Sequence, residues 1–216
     1  MWEHINSMTD IQVGEFFHRL SIANPTPKSA LVFHSPYTLL IAVILSARST
    51  DKSVNKATRF LFTIADTPAK MLALGESNLK IHIRAIGLFH SKAKYILSTS
   101  RLLIENYCNE VPNNRISLEQ LPGVGRKGAN VILNLAFGHP VIAVDTHVFR
   151  VSNRSGLSCG RTPLEVEKKL MHIVPERYLL HAHHWLILHG RHVCKARNAD
   201  CARCIVHDLC LWDCKQ

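Results

Sequence analysis

An all-helical fold is what this sequence predicts, and three observations predict it. Apolar residues recur at three- and four-residue spacing along most of the chain, no segment sustains the period-two alternation of a strand, and helix-starting residues follow helix-breaking ones at short intervals. The 216 residues are 47% hydrophobic, enough for a substantial buried core in one large domain or two small ones.

Taken in order, Thr9-Asp10 caps a first amphipathic helix carrying Phe16, Phe17 and Leu20, and Asn24-Pro25-Thr26-Pro27 ends it. Ser35-Pro36 reads as an N-cap with a first-turn proline, opening a strongly apolar helix through Leu39, Leu40, Val43 and Ile44. Ser46 to Asp51 interrupts that pattern and leaves Arg48 at an exposed joint. Thr50 or Asp51 then caps a helix carrying Val54, Ala57 and Phe60-Leu61. Helices are expected from Thr67-Pro68, between Asn78 and Ile86, and from Ser91 to about Asn106, with Gly87 breaking the last two apart. Ser117-Leu118-Glu119-Gln120 has capping-box form and starts a short helix. That helix runs into Leu121-Pro122-Gly123-Val124-Gly125-Arg126-Lys127-Gly128-Ala129-Asn130, a tight hairpin leading into another helix, with Ala129, Ile132, Leu135 and Ala136 on one face and Gly138 as its stop. The run Val141 to Val144 is β-like but short, and reads as a buried connector. Asp145 heads a helix that stops near Gly156, Thr162-Pro163 starts another that Pro175 ends, and His181 to about His192 forms the last long one.

The first amides of a helix have no internal partners, so the backbone from Gly123 through Gly125 and Arg126 to Lys127 can turn a nest of N–H groups towards an anion. Lys127 is the side chain in that stretch able to do covalent chemistry. The charge balance points the same way. Lys and Arg outnumber Asp and Glu by 26 to 16, for a formal charge of +10, which suits a polyanionic partner. Residues 1–6 show neither a charged leader nor an apolar core, and the Leu39–Leu45 run is too short to span a bilayer. The expectation is a reducing, cytoplasmic setting with no membrane, in which seven cysteines serve metal binding or chemistry in preference to disulfides.

Four of those cysteines, Cys194, Cys201, Cys204 and Cys210, lie in a Cys-x6-Cys-x2-Cys-x5-Cys pattern within 17 residues. Thiolates so grouped bind zinc or an iron–sulfur cluster, and only one gap is as short as those of structural zinc knuckles. Cys214 is an alternative to Cys194, and Cys108 and Cys159 read as ordinary small buried thiols. Lys195 and Arg197 sit on the same segment, where a loop pinned at both ends makes well-placed phosphate contacts. The dense histidines from His181 to His192 read as packed or solvent-facing, since a thiolate set lies next door and no carboxylate is close in sequence.

Four blocks together resemble the endonuclease III family of helix-hairpin-helix DNA glycosylases: LPGVGRKGAN from Leu121, AVDTHVFR from Ala143, HHWLILHGR from His183, and the Cys194–Cys210 loop. The resemblance covers nearly the whole chain. It implies an all-α, two-lobed fold. One lobe, residues 29–139, is a six-helix barrel holding the helix-hairpin-helix of about 115–134. The other joins 1–28 to 140–216 around the cysteine loop, and double-stranded DNA lies in the cleft between the lobes. It further implies a [4Fe-4S] cluster on Cys194, Cys201, Cys204 and Cys210, a nucleoid-associated monomer, and Lys127 and Asp145 facing each other as the catalytic pair.

By that resemblance the chain removes oxidised or ring-saturated pyrimidines through a lysine Schiff base, then nicks the abasic site by β-elimination. A lysine must be neutral to attack a sugar carbon, and the positive helix end, Arg126 and loss of water all disfavour the ammonium form of Lys127. Asp145 accepts a proton and stabilises positive charge on the sugar. Two positions depart from the family. Arg48 stands where the family has a glutamine that fills the hole left by the flipped base, and Gly128 stands where it has threonine. Arginine still wedges and hydrogen-bonds an orphaned base, which leaves the preferred opposite base open. Other readings are a thymine-mismatch glycosylase of the same fold and a non-catalytic helix-hairpin-helix DNA-binding module.

Overall fold

A computed structural model describes residues 7–213, so the N-terminal hexapeptide considered for a leader and the alternative ligand Cys214 lie outside the described residues. Among those described, ten α-helices and one 3-10 turn carry the regular structure, with no strand. The chain divides into two compact units, Ser29–Gly138 on its own and Met1–Lys28 joined to His139–Gln216.

The contiguous unit is built on α2 (Pro36–Ser46), whose residues Tyr37 to Leu45 are all buried. A helix apolar all round belongs in the middle of a core. Here α3 (Asp51–Ile64), α5 (Phe89–Asn106) and α7 (Arg126–Phe137) pack around it, α4 (Pro68–Ile83) lies on α3 and α5, and α6 (Arg115–Glu119) lies on α7. Ser35 starts α2 with a capping box completed by Thr38, and Thr50 and Thr67 cap α3 and α4 through their hydroxyls. Gly75, at φ 77° and ψ 166°, breaks α4 into two pieces, so its second half begins before the expected Asn78.

Some expected positions shift. Phe60 is 65% exposed with the Arg59 guanidinium over its ring, while Phe62 is buried instead. The buried stripe of α3 is Val54, Thr58, Leu61 and Phe62, and Phe60 falls outside that arc. Asn114, not Ser117, caps α6: its side chain accepts from the Ser117 amide at 2.9 Å, so the helix runs through the segment read as its start. On α7 the buried set is Gly128 through Asn134, seven consecutive residues enclosed on every side, with Leu135 and Ala136 only half-buried beyond them.

In the second unit, α1 (Asp10–Ala23) buries Val13, Phe16, Phe17 and Leu20 against α10 (Glu176–His192), and α10 packs on α8 (Thr146–Ser155), which also meets α9 (Pro163–Ile173). The helix α10 starts five residues before the expected His181. Pro175 is its N-cap as well as the stop of α9, because a proline at φ −56° suits a helix entrance as readily as an exit. Phe17, Tyr178 and Trp185 form an aromatic group at this crossing, and the Trp185 indole donates to the Asn24 carbonyl at 2.8 Å. Ile142, Ala143 and Val144 are the buried connector expected of them. Arg19 on α1 reaches both carboxylate oxygens of Asp208, at 2.6 and 3.1 Å, and the Ile205 carbonyl at 3.1 Å. That guanidinium holds the Asp208 carboxyl below its ordinary value.

Candidate functional site

The hairpin is made by three local hydrogen bonds and one glycine. Leu121 N–H donates to Leu118, Val124 N–H to Leu121 and Ala129 N–H to Gly125, and the Thr99 hydroxyl of α5 donates to the Pro122 carbonyl at 3.1 Å. Gly123 is at φ 83°, and a β-carbon there would stand 3.1 Å from Tyr95 and 3.2 Å from Ile44, so both backbone and packing require glycine. Gly125 differs. At φ −100° it is in ordinary extended backbone, and a β-carbon on it would meet nothing within 4 Å. Fold packing therefore leaves Gly125 unconstrained, and it sits exposed as the N-cap of α7 with no side-chain cap over the first amides.

Arg126 is half-buried and Lys127 exposed as the first and second residues of α7. Gly128 is buried directly beneath them, and a β-carbon there would lie 3.1 Å from the Val43 side chain of α2. Val43 and Ile44 belong to the last turn of α2, so the hairpin and the turn carrying Arg48 share one end of that helix. Arg48 is exposed at φ 56°, a left-handed conformation uncommon for residues with a β-carbon.

In the other unit, Asp145 is half-buried as the N-cap of α8. Its Oδ1 accepts from the His147 and Val148 amides at 2.8 and 2.9 Å, which leaves the second carboxylate oxygen outside the cap. Lys127 and Asp145 thus belong to different units, each displayed at a helix N-terminus.

The four expected cysteines are brought together. Cys194, Cys201, Cys204 and Cys210 line one cavity with Phe16, Val151 and Val206, and all four are free thiols. Burial pushes the Cys204 thiol up, and the other three cysteines push it the same way. The donor set is all thiol, the ligand type that suits zinc or an iron–sulfur centre. No three His, Cys, Asp or Glu side chains among the described residues converge at the spacing of a single metal ion. The surrounding bonds hold the segment: Cys204 and Cys210 are each the end of a local turn, and the Leu211 amide donates to Ser155. Cys108 departs from expectation, being exposed at φ 50° where α5 ends, whereas Cys159 is half-buried and burial raises its thiol.

Lys195 and Arg197 are exposed on the loop between Cys194 and Cys201. Two arginines of α8 hold that loop. Arg150 Nε donates to the Cys194 carbonyl at 3.0 Å and its Nη2 to the Gly190 carbonyl at 2.7 Å. Arg154 donates to the Lys195 and Ala196 carbonyls at 2.6 and 3.0 Å, and its guanidinium lies 4.3 Å from the Trp212 ring centroid. The role of these two arginines has little local sequence signature, because their partners are backbone carbonyls some 40 residues away. Spacing alone offers a faint signal, since Arg150 and Arg154 stack one turn apart. At Gly190 a β-carbon would come within 2.9 Å of His147, so α8 and α10 touch there. Of the histidines read as packed or solvent-facing, His183, His184 and His189 are buried, His181 is half-buried and His192 is exposed. His189 sits edge-on to Phe16, its Nε2 3.6 Å from Cys204 Sγ, and burial pulls it down to about 4.

Residues 41–176 match the HhH-GPD superfamily of base excision DNA repair proteins. The chain is 55% identical to endonuclease III of Rickettsia conorii, over 92% of this chain and 94% of that one, and 56% identical to endonuclease III of Haemophilus influenzae, over 91% and 93%. Among solved structures, a trapped endonuclease III–DNA covalent intermediate superposes with a TM-score of 0.88 at 44% identity, covering 94% of this chain and 96% of the other. An all-helical chain with a glycine hairpin opening α7 and a four-thiol loop after α10, so matched along its length, belongs to the endonuclease III family of the HhH-GPD superfamily.

Proposed function

We propose that this chain is a bifunctional DNA glycosylase and abasic-site lyase that removes oxidised or ring-saturated pyrimidines from double-stranded DNA. The observation that carries the reading is Lys127, exposed two residues past the uncapped Gly125 at the head of α7, where a strand gripped by backbone amides meets an amine. The trapped covalent intermediate of the similar endonuclease III–DNA structure supports it.

In the proposed reaction Gly123, Gly125 and Arg126 hold a DNA phosphate while the damaged nucleotide turns out of the duplex and Arg48 enters the space it leaves. The neutral Lys127 amine attacks C1′, the C1′–N bond breaks, and the departing base takes the electron pair. Ring opening then gives a Schiff base between Lys127 and the deoxyribose. Loss of a C2′ proton breaks the C3′–O bond and nicks the strand, and water releases the lysine. Asp145, fixed by two amides with one oxygen spare, takes the proton Lys127 sheds and offsets positive charge on the sugar. DNA lies against both units, Ser29–Gly138 acting as the hairpin lobe and the remainder as the cysteine lobe. Lys195 and Arg197 contact phosphates from the loop that Arg150 and Arg154 secure. The protein acts as a monomer in the cytoplasm, at the nucleoid.

Cys194, Cys201, Cys204 and Cys210 fit a [4Fe-4S] cluster, four thiols around one partly apolar cavity. These four thiols would hold the cluster, which would cross-link the segment carrying Lys195 and Arg197.

Borohydride is expected to trap a covalent adduct with abasic DNA, and Lys127→Ala to abolish it; trapping that persists removes Lys127 as nucleophile. Duplexes carrying thymine glycol, a G·T mismatch or an abasic site separate the substrate classes, a pure binder shifting all of them without cutting any. A brown preparation with iron and acid-labile sulfide supports the cluster, and a colourless one with stoichiometric zinc overturns it.

A further inference from the structure

Lys92 is the one buried lysine or arginine among the described residues, 3% exposed within α5. A buried ammonium is retained only where its N–H groups are satisfied. Its three donors meet three acceptors: the Leu45 carbonyl at 2.8 Å, the Ala47 carbonyl at 2.5 Å and the Ser49 hydroxyl at 3.3 Å. Burial alone draws this lysine below its ordinary value, yet three acceptors match the three donors of the charged form.

These acceptors surround one residue. The carbonyls of Leu45 and Ala47 belong to the end of α2, where a helix leaves its last carbonyls without partners, and no left-handed glycine closes it: the C-cap is Ala47 at φ −55° and ψ 116°. Lys92, reaching in from α5, takes the place of that closure. The next residue is Arg48 at φ 56°, and the one after is Ser49, whose amide donates back to Ser46 at 3.0 Å. A left-handed arginine persists only when its surroundings over-determine it. Lys92 bonds on both sides of it do so, and Gly87 faces the Arg48 carbonyl, 3.7 Å from where its own β-carbon would stand.

We propose that Lys92 is a positioning residue for Arg48: by tying Leu45, Ala47 and Ser49 around it, Lys92 aims the arginine at the base opposite the lesion and so sets which opposite base is tolerated. This rests on the reading of Arg48 as the side chain that fills the vacated space. Lys92 touches no DNA; its effect passes through the direction in which residue 48 leaves the backbone.

The test uses the full chain as Arg48→Ala, Lys92→Met and the double variant. Single-turnover cleavage is measured on four duplexes with thymine glycol opposite A, G, C or T, beside thermal melts. The ratio of fastest to slowest opposite base is expected to fall about tenfold in Arg48→Ala, the scale of losing one good base contact. Lys92→Met is expected to produce the same fall, and the double variant no further one. A Lys92→Met protein that slows on all four duplexes alike, with its ratio intact, overturns the proposal and leaves Arg48 standing. So does a double variant whose losses multiply. An unchanged ratio in Arg48→Ala overturns the reading of Arg48 itself and the proposal with it. Should Lys92→Met fail to fold, Ser49→Ala removes one of the three acceptors and is read in the same ratio, where a fall supports the proposal and an intact ratio overturns it.

Discussion

At Gly128 the missing β-carbon lets α7 come down on α2. A methyl there would sit 3.1 Å from the Val43 side chain, itself only 6% exposed in a closely packed core. A larger side chain would press harder still on that valine. Glycine in a helix costs about 1 kcal/mol against alanine, and overpacking costs about 1–3 kcal/mol, so the crowding wins. Gly128→Ala is expected to lower stability by about 1 kcal/mol in denaturant melts, and to raise it by about 0.5 kcal/mol when introduced into Val43→Ala, where the space exists. Asp145 and Lys92 mark the range of what single residues disclose. An aspartate just ahead of an amphipathic pattern is a cap whose partners lie two and three residues on, so local spacing reveals it. Lys92 bonds residues more than 40 positions away, and lysine in a helix otherwise reads as a solvated face.

Helices were legible where a side-chain cap opens them, as Thr9, Ser35, Thr50, Thr67 and Thr162 do. They were misplaced where the signal has two meanings. Pro175 both stops α9 and admits α10, and Asn114 and Ser117 are both competent caps of which tertiary packing uses the first. The α8–α10 crossing was invisible for another reason: it depends on Gly190 lacking a side chain and on Arg150 reaching the Gly190 carbonyl, neither of which has a periodicity. With His147 Cβ 2.9 Å from the position of an added β-carbon, and its Cα at 3.3 Å, the backbone of α8 itself must move. Gly190→Ala is expected to destabilise by about 2 kcal/mol in a chemical melt, against the small gain alanine brings to an open helix site. Because Arg150 joins this crossing to the Cys194 carbonyl, the same variant is expected to weaken the iron content of purified protein, measured by colorimetric iron assay.

Acid sensitivity belongs to the molecule as a whole. Burial first, and the nearby His181 second, hold His184 below the ordinary histidine range, and its Nδ1 has no hydrogen-bond partner. A folded-state value below the unfolded one means that the unfolded chain takes up the proton first. The stability contributed is therefore complete above pH 6.5, the ordinary value, and declines as pH falls below it, by up to about 1.4 kcal/mol per pH unit for each such histidine. Melting temperature is expected to fall between pH 7.5 and 5.5, and His184→Phe to flatten that fall if it folds. At the same scale the formal charge of +10 disfavours compaction while it draws the chain to a polyanion, so the compact state owes more to apolar cores than to ion pairs.

The unit Ser29–Gly138 is one unbroken stretch of chain, whereas its companion begins before it and is finished after it. During synthesis the first can therefore gather its six helices as soon as Gly138 has emerged. The helix α1, with Phe16, Phe17 and Leu20 facing nothing yet, has to wait for α10, and Arg19 waits longer still for Asp208, 189 positions on. For that interval the nascent chain carries an unsatisfied apolar helix ahead of a finished domain. The bonds around the cysteine loop form after those of the contiguous unit, on a chain whose hairpin is already in place.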